Sequence, residues 1–403
     1  MKNKKVLYLL GIFTLFMQEW GLKPFSEISS DIHLIVSLVY MLLGFWLFRN
    51  SKSSIFKLYG KKAYSLIIIG IILSMIPAFI YHNQGVVQSI ITYRIQLYWM
   101  IVPLLFRMAP SEEEVIKFAY CGTGLVIIMF LMKVINQDLF EIDEYAAIKM
   151  KDGEYPYDVR GYSIATIPVF WNLMKVKDSF SWKLIIPIAI CYIFIYLQEN
   201  RSTLFPITLF IAYVFLFSSK TKAKPILVIL FATVSIYAAI QTQEVWLSLF
   251  EETTSQVDDE DYARNQEIAY YLSPAANPGF LTYLLGNGLV TKNGNTWVEL
   301  LEEMQIFNSD VGFIGFWNYY GLIPVFVFVF TMIYAICKKG IPYYLKLWAV
   351  QMLICSLTIS YFGNQIHMIY YALFFYLLYL NKFKLTNYNE ANCSYYTSKC
   401  YYF

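Results

Sequence analysis

Four arginines stand out in this chain for where they fall: Arg94, Arg160, Arg201 and Arg264. A guanidinium stays charged at physiological pH and presents forked donors that match paired phosphate oxygens. Gathered at one boundary, such side chains would hold a diphosphate and steady its charge as a bond to it breaks. Each also has a plainer reading, pairing with a nearby acid or reaching toward lipid headgroups. Arg201 lies in the tight segment Glu199-Asn200-Arg201-Ser202-Thr203 between two apolar runs, which favours the phosphate role. Arg94 falls inside an apolar run, where charge is costly and usually serves a purpose. A small shift of that helix start would put it at the membrane interface instead.

Asp310 ends Asn308-Ser309-Asp310 and opens the next apolar run. Its carboxylate suits an N-cap that accepts backbone N–H groups. It equally suits a base that takes a proton from an attacking sugar hydroxyl, and the two roles are compatible. Upstream, Gly286-Asn287-Gly288 marks a tight turn. There is no HExxH, and the three histidines, His33, His82 and His367, all fall near helix ends outside the loop that holds Asp310. Asp258-Asp259-Glu260-Asp261 offers a divalent cation a weak hold and reads as a solvated charge run. None of the six cysteines has CxxC spacing, so neither a disulfide nor a cysteine metal site is expected. GxxxxGK[ST] is absent too, and neither a metal nor a cofactor is expected.

The elements that must position these residues are membrane helices. The chain is 58% hydrophobic and 15% charged, with mean hydropathy +0.50, whereas a soluble domain carries about 25% charged residues. Aromatics reach 19%, which suits both interface belts and sugar-facing surfaces. A span needs about 20 apolar residues. That rule predicts an all-α polytopic protein with about twelve transmembrane helices: 6–21, 32–48, 63–82, 88–106, 115–135, 161–174, 183–198, 203–218, 225–241, 311–337, 341–360 and 365–381. The sixth is short and interrupted by Pro168. The tenth carries Gly315 and Gly321 and is expected to tilt or to start as an outer half-helix. The first run lacks a small-residue cleavage site and is expected to stay as a helix.

Charge orients the chain. The N-terminus, 49–62, 107–117, 175–183, 219–224, 338–346 and the tail hold 22 of the 31 Lys and Arg but only five of the 28 acids. By the positive-inside rule both termini are cytoplasmic, and the long loops 136–160 and 242–310 face outward. The organisation expected is helices one to nine over 1–241, a large extracytoplasmic loop over 242–310, helices ten to twelve over 311–381, and a cytoplasmic tail over 382–403. The tail is polar and aromatic without periodicity, and no fold is expected for it. Within the large loop, Gln256–Leu272 is expected to be helical, with acids at the end that suits the helix dipole. Ser273-Pro274 and Asn277-Pro278-Gly279 break it. Thr296–Phe307 shows an apolar stripe of Trp297, Leu300, Leu301, Met304 and Phe307, the pattern of a lid lying on the membrane.

With this layout the chain resembles the O-antigen polymerase and O-antigen ligase superfamily, and within it the Wzy-type polysaccharide repeat-unit polymerases. The resemblance covers about 155–335. It rests on the Arg-bearing outer turn Glu199–Thr203 and on a large outer loop two spans later. That loop opens with Ala263-Arg264-Asn265, passes Leu285-Gly286-Asn287-Gly288-Leu289, and closes with Asn308-Ser309-Asp310 before a glycine-containing helix. Ligases of the superfamily carry a histidine where this chain has Ser309-Asp310, which favours a polymerase. The resemblance implies a GT-C-like glycosyltransferase architecture in a bacterial plasma (inner) membrane. It implies an undecaprenyl-pyrophosphate-linked oligosaccharide as substrate, and a chain-length regulator and flippase of the same pathway as partners beside the lipid bilayer, with no nucleic acid. Arg201 and Arg264 would hold the donor pyrophosphate and Asp310 would be the base. Arg160, Arg94, Gly286, Asn287, Gly288 and Asn308 would bind substrate. Two other readings compete: a ligase that moves finished glycan to another acceptor, and a lipid-linked oligosaccharide flippase. A flippase is expected to carry charge at several membrane depths and short outer loops, the reverse of this chain.

Overall fold

The computed structural model describes residues 3–26, 28–50, 60–140, 159–198, 201–218, 225, 263–289, 311–358 and 365–399. Among them the structure is helical, with one isolated antiparallel bridge between Leu22 and Phe140. The helices are α1 (Lys4–Phe16), α2 (Ser30–Leu47), α3 (Lys61–Leu73), α4 (Met75–His82), α5 (Val86–Thr92), α6 (Ile101–Met108), α7 (Glu112–Ile135) and α8 (Thr166–Asp178). They continue with α9 (Trp182–Tyr196), α10 (Arg201–Tyr213), α11 (Ala263–Leu272), α12 (Phe280–Leu285), α13 (Gly312–Tyr320), α14 (Leu322–Cys337), α15 (Tyr343–Cys355) and α16 (Gln365–Lys399).

Local chemistry explains where the helices start and break. The α7 start is a capping box. Ser111 Oγ accepts from the Glu114 N–H at 3.2 Å, and Glu114 Oε2 accepts from the Ser111 N–H at 2.7 Å. Glu112, Glu113 and Glu114 then lie at the positive end of the helix dipole. Between α3 and α4 the chain bends at Ser74, whose hydroxyl donates to the Ile71 carbonyl at 2.7 Å and meets Tyr93 Oη at 2.6 Å. The expected fourth span is α5 and α6 joined by a 3-10 stretch over Tyr93–Met100. The expected tenth span breaks at Gly321, whose φ of +75° suits glycine, into the half-helix α13 and the longer α14.

Among the described residues, four helical segments are long and apolar enough to cross a membrane alone: Ser30–Leu47, Lys61–His82, Val86–Met108 and Glu112–Ile135. Trp182–Tyr196, Ser202–Phe217 and Leu322–Cys337 are apolar but shorter. The expected ninth span, 225–241, lies outside the described residues except for Pro225. So do the loop stretches 242–262 and 290–310, with the predicted helix 296–307 and the acidic run 258–261. The tail, to which the sequence reading assigned no fold, is helical to Lys399, as α16 runs on from the core. No Gly or Pro lies between Asn381 and Lys399 to stop it.

The core sits around α16. Its residues 368–378 are each at most 2% exposed, so this helix is covered on every side. Trp99 packs edge-on to Tyr371, Phe106 to Phe375, and Trp348 against Tyr370. In contrast, α2 turns Ile35, Val39 and Trp46 outward, each at least 59% exposed, as a lipid-facing helix does.

Some polar contacts between distant segments join helix ends and loops, while others, such as Gln96 with Tyr320 and Thr166 with Tyr370, lie inside the bundle. At one end Lys5 Nζ donates to the Ala109 carbonyl, Tyr376 Oη to the Pro110 carbonyl, and Tyr344 Oη and Lys384 Nζ to Glu112. At the other, Arg94 meets Asp31, Arg160 meets Gln18, the Val159 N–H donates to Gln198 Oε1, and His82 meets Asn287.

Candidate functional site

The Gly286-Asn287-Gly288 turn follows α12 directly into the body of the protein. Asn287 is fully buried. Its N–H donates to the Asn318 carbonyl at 2.6 Å, and the Gly288 N–H donates to the Tyr319 carbonyl at 2.9 Å. Asn287 Oδ1 meets His82 Nε2 at 2.9 Å, while Nδ2 donates to the Ala276 carbonyl at 2.9 Å. The next residue is held as firmly: the Leu289 N–H donates to Tyr93 Oη at 3.0 Å, and Gln84 Nε2 donates to the Leu289 carbonyl at 2.9 Å. Glycine is required at 286, where φ is +81° and a Cβ would lie 2.5 Å from the Gly321 N and the Tyr319 O. The turn expected to bind substrate thus has its polar groups engaged with protein. It pins the loop to the break between α13 and α14 and to the corner between α4 and α5.

The other parts of the loop converge on one rim. Helix α11 lies against the start of α13, through a small cluster of Tyr271, Ala276 and Val311 with Ile268, Tyr270 and Ile314 around it. Glu267, one helical turn before Tyr271, is only 3% exposed. From Val311 the rim continues: the Phe313 N–H donates to the Ser356 carbonyl at 2.8 Å, and a Cβ on Gly312 would strike that same Ser356 carbonyl. Cys355 Sγ donates to the Ser202 carbonyl at 3.1 Å, and Tyr162 Oη and Thr203 Oγ1 are 3.4 Å apart. Tyr162, Ser202, Thr203, Cys355, Ser356 and Phe313, near Arg160, Arg201 and Asp310 in the chain, are therefore linked by side-chain and backbone bonds, and the Arg264-bearing helix packs onto the start of α13. Asn308 and Asp310 lie outside the described residues, as do the side chains of Arg201 and Arg264.

Two of the four predicted arginines have visible partners. Arg94 donates from Nε to Asp31 Oδ1 at 2.6 Å and from Nη1 to the Ile91 carbonyl at 2.7 Å. Both partners are more than 40% exposed, so the pair adds at most about 1 kcal/mol to stability. Arg160 donates from Nη1 to Gln18 Oε1 at 3.0 Å and lines a cavity beside the start of α2. Among the described residues no three His, Cys, Asp or Glu side chains gather as a metal site.

Sequence reasoning missed Glu267 and the His82–Asn287 pair. Glu267 follows Arg264 at helical spacing, a signal that the acid shares a face with the arginine or its neighbour. Nothing local links positions 82 and 287. No family model matches the chain and no curated protein matches it, so the likeness to repeat-unit polymerases rests on the order of its own motifs.

Proposed function

We propose that this protein is a membrane glycosyltransferase that polymerises undecaprenyl-pyrophosphate-linked oligosaccharide repeats into surface polysaccharide. In this reading the chain crosses the bacterial plasma membrane about twelve times in a GT-C-like arrangement. Its termini are cytoplasmic and residues 242–310 form the outer loop. One observation carries the reading: the rim on which the surroundings of Arg160, Arg201, Arg264 and Asp310 meet. By the charge pattern that rim belongs to the outer side.

The chemistry assigned to it follows from the donor. The lipid-linked sugar carries its anomeric carbon on a pyrophosphate oxygen. A hydroxyl of a second lipid-linked unit attacks that carbon, a C–O bond forms, and the bond to the pyrophosphate breaks. Arg201 and Arg264, helped by Arg160 and Arg94, stabilise the negative charge that builds on the departing lipid pyrophosphate as the C–O bond breaks. Asp310 takes the proton of the attacking hydroxyl and releases it to water. The pyrophosphate ester supplies the driving force, so the reaction needs no nucleotide sugar. A flippase that delivers the repeat and a regulator of chain length are the partners this reaction calls for.

The test is purified protein with lipid-linked repeats. Lengthening of the lipid-linked glycan is expected, and it should be lost in Arg201→Ala and Arg264→Ala with protein level and single repeats retained. Ordinary chain lengths in both variants would remove the phosphate role. A single transfer of glycan to an unrelated acceptor would make the protein a ligase.

A further inference from the structure

The Gly286-Asn287-Gly288 turn lies deeper than a surface loop does, and two helices measure its depth. Lys61–His82 has 22 residues, about 33 Å of helix against a hydrocarbon core of about 30 Å, so its ends lie close to the two boundaries. Ser74 stands eight residues before His82, about 12 Å from that end. A Cβ on Gly288 would lie 2.7 Å from the Ser74 carbonyl oxygen and 3.0 Å from Ala78 Cβ. The Leu289 N–H donates to Tyr93 Oη, which also meets Ser74 Oγ. The second measure starts from the opposite boundary. Helix α14 has 16 residues, about 24 Å up from Cys337, so Gly321 at its top stops about 6 Å short of the boundary near His82. Gly286 lies against Gly321. Both measures put the turn about 6–12 Å inside the hydrocarbon.

Backbone at that depth finds no water and must bond to protein. This stretch does so. The Gly286 N–H donates to the Thr282 carbonyl, that of Asn287 to Asn318, that of Gly288 to Tyr319 and that of Leu289 to Tyr93 Oη. The preceding helix, α12, has two faces. Thr282 is fully buried, while Phe280 and Leu284, one turn apart on the opposite face, are 77% and 38% exposed. Gly279, at the start of α12, abuts Tyr81 Oη, and Trp317 Nε1 donates to the Tyr283 carbonyl at 2.7 Å. Phenol and indole groups collect where a membrane meets water. Across α4 from Ala78, about 200° round the helix, Ile80 is 53% exposed. Apolar surface is thus turned to lipid at the level of the segment.

We propose that residues 279–289 form a re-entrant segment that enters the outer half of the bilayer, with Phe280 and Leu284 against lipid acyl chains. Its partner is the hydrocarbon of that leaflet, and the large loop is anchored by it rather than wholly bathed in water. The insertion holds whether or not glycan is transferred at the rim.

The experiment uses the full chain in nanodiscs of dioleoylphosphatidylcholine, with Phe280→p-benzoylphenylalanine and, separately, Leu284→p-benzoylphenylalanine as photo-crosslinkers. Both positions are exposed, so the larger ring displaces no core residue. After irradiation the intact mass should rise by one phospholipid. Saponification should then leave one oleic acid on the protein, because the new bond is to the acyl chain. Phe79→p-benzoylphenylalanine, on the exposed side of α4, gives the reference yield of an acyl-chain contact. No lipid adduct at either folded variant, or an adduct that loses its fatty acid on saponification, overturns the proposal. A crosslink to residues 290–310 also overturns it, because the loop itself would then cover α12. A crosslinked pair of chains does so as well, since the face would be an interface between copies.

Discussion

Asp310, which precedes Val311 in the chain, and Glu267 are carboxylates to weigh for the base role, and their substitutions separate a proton acceptor from a structural acid. As the base, Asp310 should contribute roughly 100-fold or more. Asp310→Asn should therefore lower glycan lengthening by at least that factor, while Glu302→Gln, on the same loop, should have a mild effect. Equal and mild effects would reduce Asp310 to a helix cap. Glu267→Gln keeps the volume of this buried side chain and removes its charge. Its loss of activity should be smaller than that of Asp310→Asn, and the reverse order in the same assay would move the base role to Glu267. Asn287 belongs to another class. Its substitution by Ala removes the bonds to His82 and to the Ala276 carbonyl, which should cost about 1–3 kcal/mol. A lowered Tm in detergent is the expected readout, and an unchanged Tm would show that the pinning bonds contribute nothing.

At the scale of elements, the large loop is held to the membrane helices by glycine-dependent contacts. Gly286 and Gly321 approach each other so closely that a Cβ on either would meet the other's chain segment. Gly286→Ala also forces alanine into a left-handed conformation, for a combined cost of about 1–3 kcal/mol or more. Thermal unfolding should register it, and glycan lengthening should fall with it, because the turn positions α13 and hence the rim. Retention of both activity and Tm would detach the turn from the site. The break at Gly321 was legible in the sequence, since a glycine inside a long apolar run marks a change of path. The route of the turn was not. Gly-Asn-Gly reads locally as an exposed turn, and its burial comes from α13 and the corner between α4 and α5 closing over it.

For the whole molecule, the decisive quantity is sidedness. The charge count assigns it, with the basic loops on one side and the acidic loops on the other. A cysteine placed at Asp138 should react with a membrane-impermeant maleimide in intact cells, and one at Lys338 should react only after lysis. The opposite pattern would put the rim in the cytoplasm and end the transferase reading.

Membrane residence, the rough limits of most helices, and the separation of basic from acidic loops were available from sequence alone. They are sums over neighbouring residues, and transfer to lipid depends on those sums. Helix breaks at Ser74 and within 93–100 were less visible, because side-chain bonds to distant partners set them. Only the folded chain decided that α16 lies at the centre and α2 at the periphery, since both are apolar enough to sit in either place. It alone brought Ser202, Ser356, Phe313 and Tyr271 into one line, buried Glu267, and joined His82 to Asn287. Those pairings join residues far apart along the chain, and helix packing, which no local pattern encodes, determines which distant faces meet.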